Sequence, residues 1–126
     1  MNVLVDTSVW VDHFKYGNNI LIRLIEMDIA LVHPMVVAEL ACGTPPEPRI
    51  QTLGDIELLR PAHQASITEI RDFIEREKLY GLGCGFVDIT LLASTLVTPN
   101  TQLWTFDKRL ERLADRFKIA YLFEMH

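Results

Sequence analysis

Four carboxylates sit where a carboxylate is conspicuous. Asp6 follows the apolar run Val3-Leu4-Val5, and Asp107 follows Leu103-Trp104-Thr105-Phe106. Asp88 opens the apolar segment Ile89 to Val97, and Glu39 lies among Val36, Val37 and Leu40. Each alone has an ordinary explanation as a helix cap or a solvated side chain. Their joint placement carries more weight. In open parallel α/β sheets the carboxyl ends of strands and the starts of the following helices share one edge. Carboxylates gathered there repel and raise one another's pKa unless a cation stands between them. Hard oxygen donors favour magnesium or manganese, and no histidine–cysteine set competes for the role. Such ions turn bound water into a nucleophile and stabilise the attacking and leaving oxygens of a phosphodiester displacement.

The elements that must position these acids can be read from periodicity. Val3 to Val5 forms a short buried strand, and Ser8 is placed to cap the helix after it. Gly17-Asn18-Asn19 is a turn, followed by helical spacing of Leu21, Leu24 and Ile25 within residues 20–27. Ile29 to Val32 reads as a second strand, with Pro34 in the first turn of a helix over Met35 to Ala41 that Gly43 ends. After the proline-rich link 44–48 come a short helix over 49–55 and a strand or extended link over 56–59.

The longest helical pattern runs from His63 to Leu79, with Ile67, Ile70, Phe73 and Ile74 as its inner stripe. The glycine-rich turn 80–85 lacks the lysine of a phosphate-binding loop. A helix over 89–97 follows, with Ile89, Leu92, Ala93 and Leu96 turned to the core, and its apolar character on all sides makes it central. Gln102 to Phe106 is a strand, Asp107 caps a helix over 108–117, and Ile119 to Phe123 is a last edge strand. This alternation predicts an α/β three-layer sandwich: a mostly parallel sheet with helices on both faces.

At 126 residues the chain is expected to form a single domain over 1–126 that holds a core without staples. The net charge of −5 argues against non-specific nucleic-acid binding through a uniformly basic surface. It leaves a nuclease open, because bound divalent ions restore positive potential where a phosphate must sit. Cys42 and Cys84 show no metal-ligand spacing and read as small buried fillers. With no signal-peptide pattern and no transmembrane-length apolar run, the expectation is a cytoplasmic protein with no membrane association.

The ordered motifs resemble those of the PIN domain, specifically the small stand-alone VapC-type ribonucleases of prokaryotic toxin–antitoxin systems. V-L-V-D-T-S-V-W-V-D at 3–12 resembles the amino-terminal motif, V-V-A-E-L-A-C-G at 36–43 the second, G-L-G-C-G-F-V-D-I-T-L-L-A-S at 81–94 the third, and L-W-T-F-D-K-R-L at 103–110 the fourth. The resemblance covers essentially the whole chain. It implies a metal-dependent endoribonuclease, using Mg2+ or Mn2+, that cuts structured RNA such as tRNA or rRNA. It also implies a homodimer held inactive by a small antitoxin protein that blocks the acidic site.

On that resemblance Asp6, Glu39, Asp88 and Asp107 are the catalytic and metal-binding acids, with Glu39 as ligand, water-orienting group or base. Ser8 and Thr105 are supporting hydroxyls, able to fix a carboxylate or a phosphate oxygen. Lys15, Lys108, Arg109 and Arg112 are candidates for phosphate contacts, with plain surface solvation as their alternative. Trp10, Phe14 and Trp104 read as core or interface residues, and the four histidines form no site.

Two other enzyme classes place an aspartate after a first strand. A haloacid-dehalogenase-like phosphatase needs a second aspartate two residues on, where this chain has Ser8. A receiver domain needs paired acids before its phosphoacceptor strand and a lysine after a late strand. The non-enzymatic alternative is a catalytically inactive PIN-like scaffold that binds RNA or protein. A DNA or flap nuclease fits less well, because no clamp or arch segment is present.

Overall fold

The computed structural model describes residues 1–122. The chain runs β1 (Asn2–Val5), α1 (Thr7–Tyr16), α2 (Asn19–Glu26), β2 (Ala30–Val32), α3 (Pro34–Cys42), α4 (Arg49–Glu57), β3 (Arg60–Pro61), α5 (Ile67–Glu77), α6 (Phe86–Val97), β4 (Thr101–Trp104) and α7 (Lys108–Arg116). The four strands lie in the order β3-β2-β1-β4, and every pairing is parallel. Helices cover both faces, as the alternation of elements predicts. α1, α3 and α4 pack as one contiguous group and α5, α6 and α7 as another, with α2 against β2.

β1 is the centre of the molecule. Successive strand residues point to opposite faces, yet Val3, Leu4 and Val5 are all 0% exposed, so this strand is covered on both sides. From β1 the chain steps outward through β2 to β3, then crosses back through α5 and α6 to lay β4 on the other flank of β1. The reversal puts the topological switch between β1 and β4, and the crevice outside their carboxyl ends is where such sheets place ligands.

Local chemistry sets the helix boundaries. Asn18 caps α2 by accepting the Leu21 N–H, and His33 Nδ1 accepts the Met35 N–H at the start of α3. The long helix expected from His63 begins instead at Ile67, because Ser66 and Glu69 form a reciprocal capping box there. Ile70 and Phe73 reach the core, but Ile67, at the first helical position, is 66% exposed and leaves the expected inner stripe. α6 is central as expected, buried continuously from Ile89 to Thr95. Its hydroxyls are satisfied locally: Thr90 donates to the Phe86 carbonyl and Thr95 to that of Leu91. Leu96 departs from the expected core face, since the last turn of α6 emerges into solvent.

Three further expectations change. Residues 56–57 finish α4 and the strand is Arg60–Pro61, a two-residue edge on β2 where proline is tolerated, with the following Ala62 N–H donating to the Val32 carbonyl at 2.9 Å. The last strand reduces to a single parallel bridge between Leu103 and Ala120, and Phe123 lies outside the described residues. Cys42 is exposed at the end of α3 and Cys84 is half-buried, so neither is a fully buried filler. No helix among the described residues is long and apolar enough to cross a membrane.

Candidate active site

Asp6 leaves β1 still in the sheet, its N–H donating to the Trp104 carbonyl at 2.9 Å. The side chain is buried, and all its hydrogen bonds fall on Oδ2. Ser8 donates to that oxygen at 2.7 Å, and Thr105, from the end of β4, donates at 2.7 Å. Ser8 therefore stands inside the first turn of α1 and fixes a carboxylate rather than capping the helix, whose N-cap position is Asp6 itself. The expectation of Ser8 as a cap fails because the helix already begins at Thr7, and the Ser8 hydroxyl is taken up by the charged acceptor Asp6 and by the Phe106 N–H.

The same two hydroxyls tie the ends of β1 and β4 together. Ser8 Oγ accepts the Phe106 N–H at 3.0 Å, and Thr105 Oγ1 accepts the Asp107 N–H at 3.0 Å. Asp107 then caps α7 as its sequence position predicts, with Oδ1 accepting from the N–H groups of Arg109 and Leu110 at 3.0 Å each. Its Oδ2 has no protein partner among the described residues.

Glu39 projects from α3 and is exposed, with Oε1 held by the Thr7 hydroxyl at 2.6 Å. Sequence reasoning gave Thr7 no such duty. The signal was its place, the first residue of a helix that starts at the carboxyl edge. Asp88 lies in the first turn of α6, half-buried. Burial, followed by the negative charge of Asp6, pushes its carboxyl above the usual carboxylate range. The Gly85 backbone opposes this, and Asp107 and Glu39 add to the upward push. Asp88 thus feels all three other acids, which α1, α3 and α7 bring from well-separated parts of the sequence.

The donors are hard oxygens, and Asp6, Glu39 and Asp107 each hold one oxygen fixed by the protein while the other has no protein partner among the described residues. That chemistry fits magnesium or manganese. Among the described residues no three His, Cys, Asp or Glu side chains stand together as a group that could hold a metal ion.

The cations are placed unequally. Arg109 lies over the glycine-rich turn, its Nη1 grazing the Gly83 carbonyl at 3.4 Å. Its charge also reaches Cys84, whose thiol is pushed up by burial and by Asp88 and Asp107 and drawn partly back by Arg109. Lys15 lines a cleft of about 610 Å³ between α1 and α3 that includes Thr7 and Glu39 at the acidic edge. Lys108 and Arg112 are exposed on α7, and none of the four has an ion-pair partner among the described residues. Trp10 and Trp104 are core residues as expected, and Phe14 packs half-buried beside Trp10.

Comparison with known proteins agrees with this arrangement. The sequence model of the PIN domain family matches residues 3–116, a span that holds all four acids. Ribonuclease VapC32 of Mycobacterium tuberculosis strain CDC 1551 / Oshkosh is 36% identical over 112 residues, covering 86% of this chain and 87% of the relative. The protein of the same name from strain ATCC 25618 / H37Rv gives the same values: 36% over 112 residues, 86% and 87%. A central parallel sheet with acids at its switch edge, and a family match across nearly its whole length, make the chain a member of the PIN domain family, related to the VapC-type ribonucleases of toxin–antitoxin systems.

Proposed function

We propose that this chain is a metal-dependent endoribonuclease that hydrolyses phosphodiester bonds in structured RNA, with tRNA or rRNA as the expected class. We place it in the cytoplasm as the toxin of a toxin–antitoxin pair, a homodimer whose acidic site a small antitoxin protein blocks. One observation carries the reading. Asp6, Glu39, Asp88 and Asp107 converge on one sheet edge, where burial first and then the charges of the other three acids hold the Asp88 carboxyl above its usual range. Repulsion of that kind is relieved by a cation.

In this reading Asp6, Asp88 and Asp107 hold Mg2+ or Mn2+, directly or through water. When bound, the ion supplies an activated water and charge stabilisation at the phosphate. Ser8 and Thr105 keep Asp6 in one rotamer, and Thr7 keeps Glu39 oriented toward the water or the ion. Arg109, seated on the glycine-rich turn two residues after Asp107, is the cation best placed for a phosphate oxygen. Lys15, Lys108 and Arg112 extend the contact along the strand.

A second reading, a non-cleaving scaffold that binds RNA or protein at this edge, draws on the absence, among the described residues, of a side-chain group that could hold a metal ion. Cleavage of total cellular RNA by purified, partner-free protein separates the two. Discrete cuts with magnesium or manganese, absent with EDTA and in folded Asp6→Asn and Asp107→Asn variants, support the nuclease. No cuts in the presence of bound metal support the scaffold.

A further inference from the structure

Phe106 stands between Thr105 and Asp107, and the residue is 46% exposed. Leaving a phenyl ring largely in water forgoes a good part of the ~1.5–3 kcal/mol that full burial provides. This ring is nevertheless held in place. Its N–H donates to Ser8 Oγ at 3.0 Å, and the next N–H, from Asp107, donates to Thr105 Oγ1 at 3.0 Å. The backbone is therefore pinned on both sides by the hydroxyls that hold Asp6. The ring meets Trp104 edge-to-face, with centroids 5.8 Å apart and planes at 84°. Trp104 is itself buried and packs on Tyr121 at 5.3 Å. A rigid aromatic, open to solvent, is thus set one residue from a site acid.

We propose that Phe106 is a stacking platform for an unpaired nucleobase of the RNA strand beside the bond to be cut. The proposal rests on the nuclease reading and names how that site holds its substrate. The charge balance favours such a platform. With a net charge of −5 and four acids at the edge, phosphate contacts alone meet repulsion across much of the surface. Stacking of a base on an aromatic face is indifferent to that charge and tolerant of base identity. A phenylalanine with two rotatable bonds, already fixed by Trp104, loses little entropy when a base settles on it. The ring therefore selects single-stranded loops or splayed bases over continuous duplex, whose bases are stacked on one another.

The test uses the full chain and short single-stranded RNAs cut by the wild type, with 2-aminopurine placed at successive positions near the cut. Fluorescence quenching should appear at one position flanking the cut. Phe106→Ala should remove it and lower kcat/KM by about 5- to 150-fold, the range that one base–aromatic stack supplies. Phe106→Trp should retain both, and Phe106→Leu, apolar but without a π face, should not. The slope of affinity against salt should stay that of the wild type, because no phosphate contact is removed. Tyr16→Ala, at the far end of α1, is the control and should change nothing.

A wild type that cuts RNA while Phe106→Ala matches it in kcat, KM and quenching overturns the platform and leaves the nuclease standing. Leu and Trp variants that behave alike overturn it too, by showing a structural role. Unchanged cleavage combined with lost inhibition by a partner protein assigns the ring to a protein contact and overturns it. A wild type that neither binds nor cuts RNA overturns both readings.

Discussion

Thr105 donates its hydroxyl proton to Asp6 Oδ2 at 2.7 Å, joining residues 99 positions apart at the neighbouring ends of β4 and β1. Thr105 Oγ1 in turn accepts the Asp107 N–H at 3.0 Å, so one hydroxyl orients one acid and the backbone of another. Thr105→Val keeps the shape and removes the hydroxyl. Stability should fall by about 1–3 kcal/mol, the cost of leaving buried polar groups short of a partner. Cleavage should fall by about tenfold or more as Asp6 loses its fixed geometry. Thr105→Ser should restore both. Equal urea midpoints for the valine variant and the wild type would remove this hydroxyl from the framework.

Asp107 caps α7, and the proposed metal-holding role is one that substitution separates from capping. Asparagine caps helices as well as aspartate does, so Asp107→Asn should keep the melting temperature close to that of the wild type. It should lower metal-dependent cleavage by roughly 10²-fold or more, the scale of losing one preorganised group in a catalytic site. Asp107→Ala should lose cleavage and about 0.5–2 kcal/mol of stability together. An asparagine variant that cleaves at the wild-type rate would leave Asp107 as a cap alone.

Asp88 offers a test of metal binding that does not depend on turnover. Its carboxylate is disfavoured by burial and by three neighbouring acids, so Asp88→Asn should be more stable than the wild type when EDTA is present. Magnesium should then raise the melting temperature of the wild type in proportion to ligand saturation, and raise that of the variant much less. Thermal scans with and without metal decide it. Equal shifts in the two proteins would place any bound ion elsewhere.

Gly83 positions Arg109 through the absence of a side chain. Its φ of +86° is one that L side chains rarely adopt, and a Cβ there would lie 2.9 Å from Arg109 Cδ. Gly81, at φ +71°, has open space around it and serves as the control. Both alanine variants should lose about 1–2 kcal/mol to backbone strain. Only Gly83→Ala should also raise KM for RNA, because only it moves the guanidinium. Matching KM values in the two variants would show that Arg109 is not held by this turn.

His33 gives the fold a pH dependence of calculable sign. Burial lowers its pKa below the unfolded value, so the unfolded chain takes up a proton first as the solution is acidified. Its contribution is present above the unfolded pKa of about 6.5 and is lost as pH falls from there toward the lower folded value. Asn can replace the Nδ1 acceptor at the start of α3 but cannot titrate. The wild type should lose stability more steeply than His33→Asn between about pH 7 and 5. Parallel stability–pH curves for the two proteins would assign the slope to other groups.

Much of this protein is legible in local chemistry. The apolar triplet Val3 to Val5 ending on Asp6, the apolar stretch ahead of Asp107 and the apolar run of α6 determine a central strand, a second acid-ended strand and a buried helix. Asp107 acts as the cap its position predicts, because capping depends on only a few neighbouring residues. The choice of partners lies beyond local pattern. The order β3-β2-β1-β4 is what sets β4 beside β1, and only that order brings Thr105 to Asp6 and the Phe106 N–H to Ser8. Likewise Thr7 meets Glu39 because α1 packs on α3, and Ser8 turns from helix cap to carboxylate donor because Asp6 is buried next to it. Periodicity records which face of an element is apolar. Which hydroxyl reaches which acid depends on strand order and register, and those follow from how the whole chain buries its apolar surface.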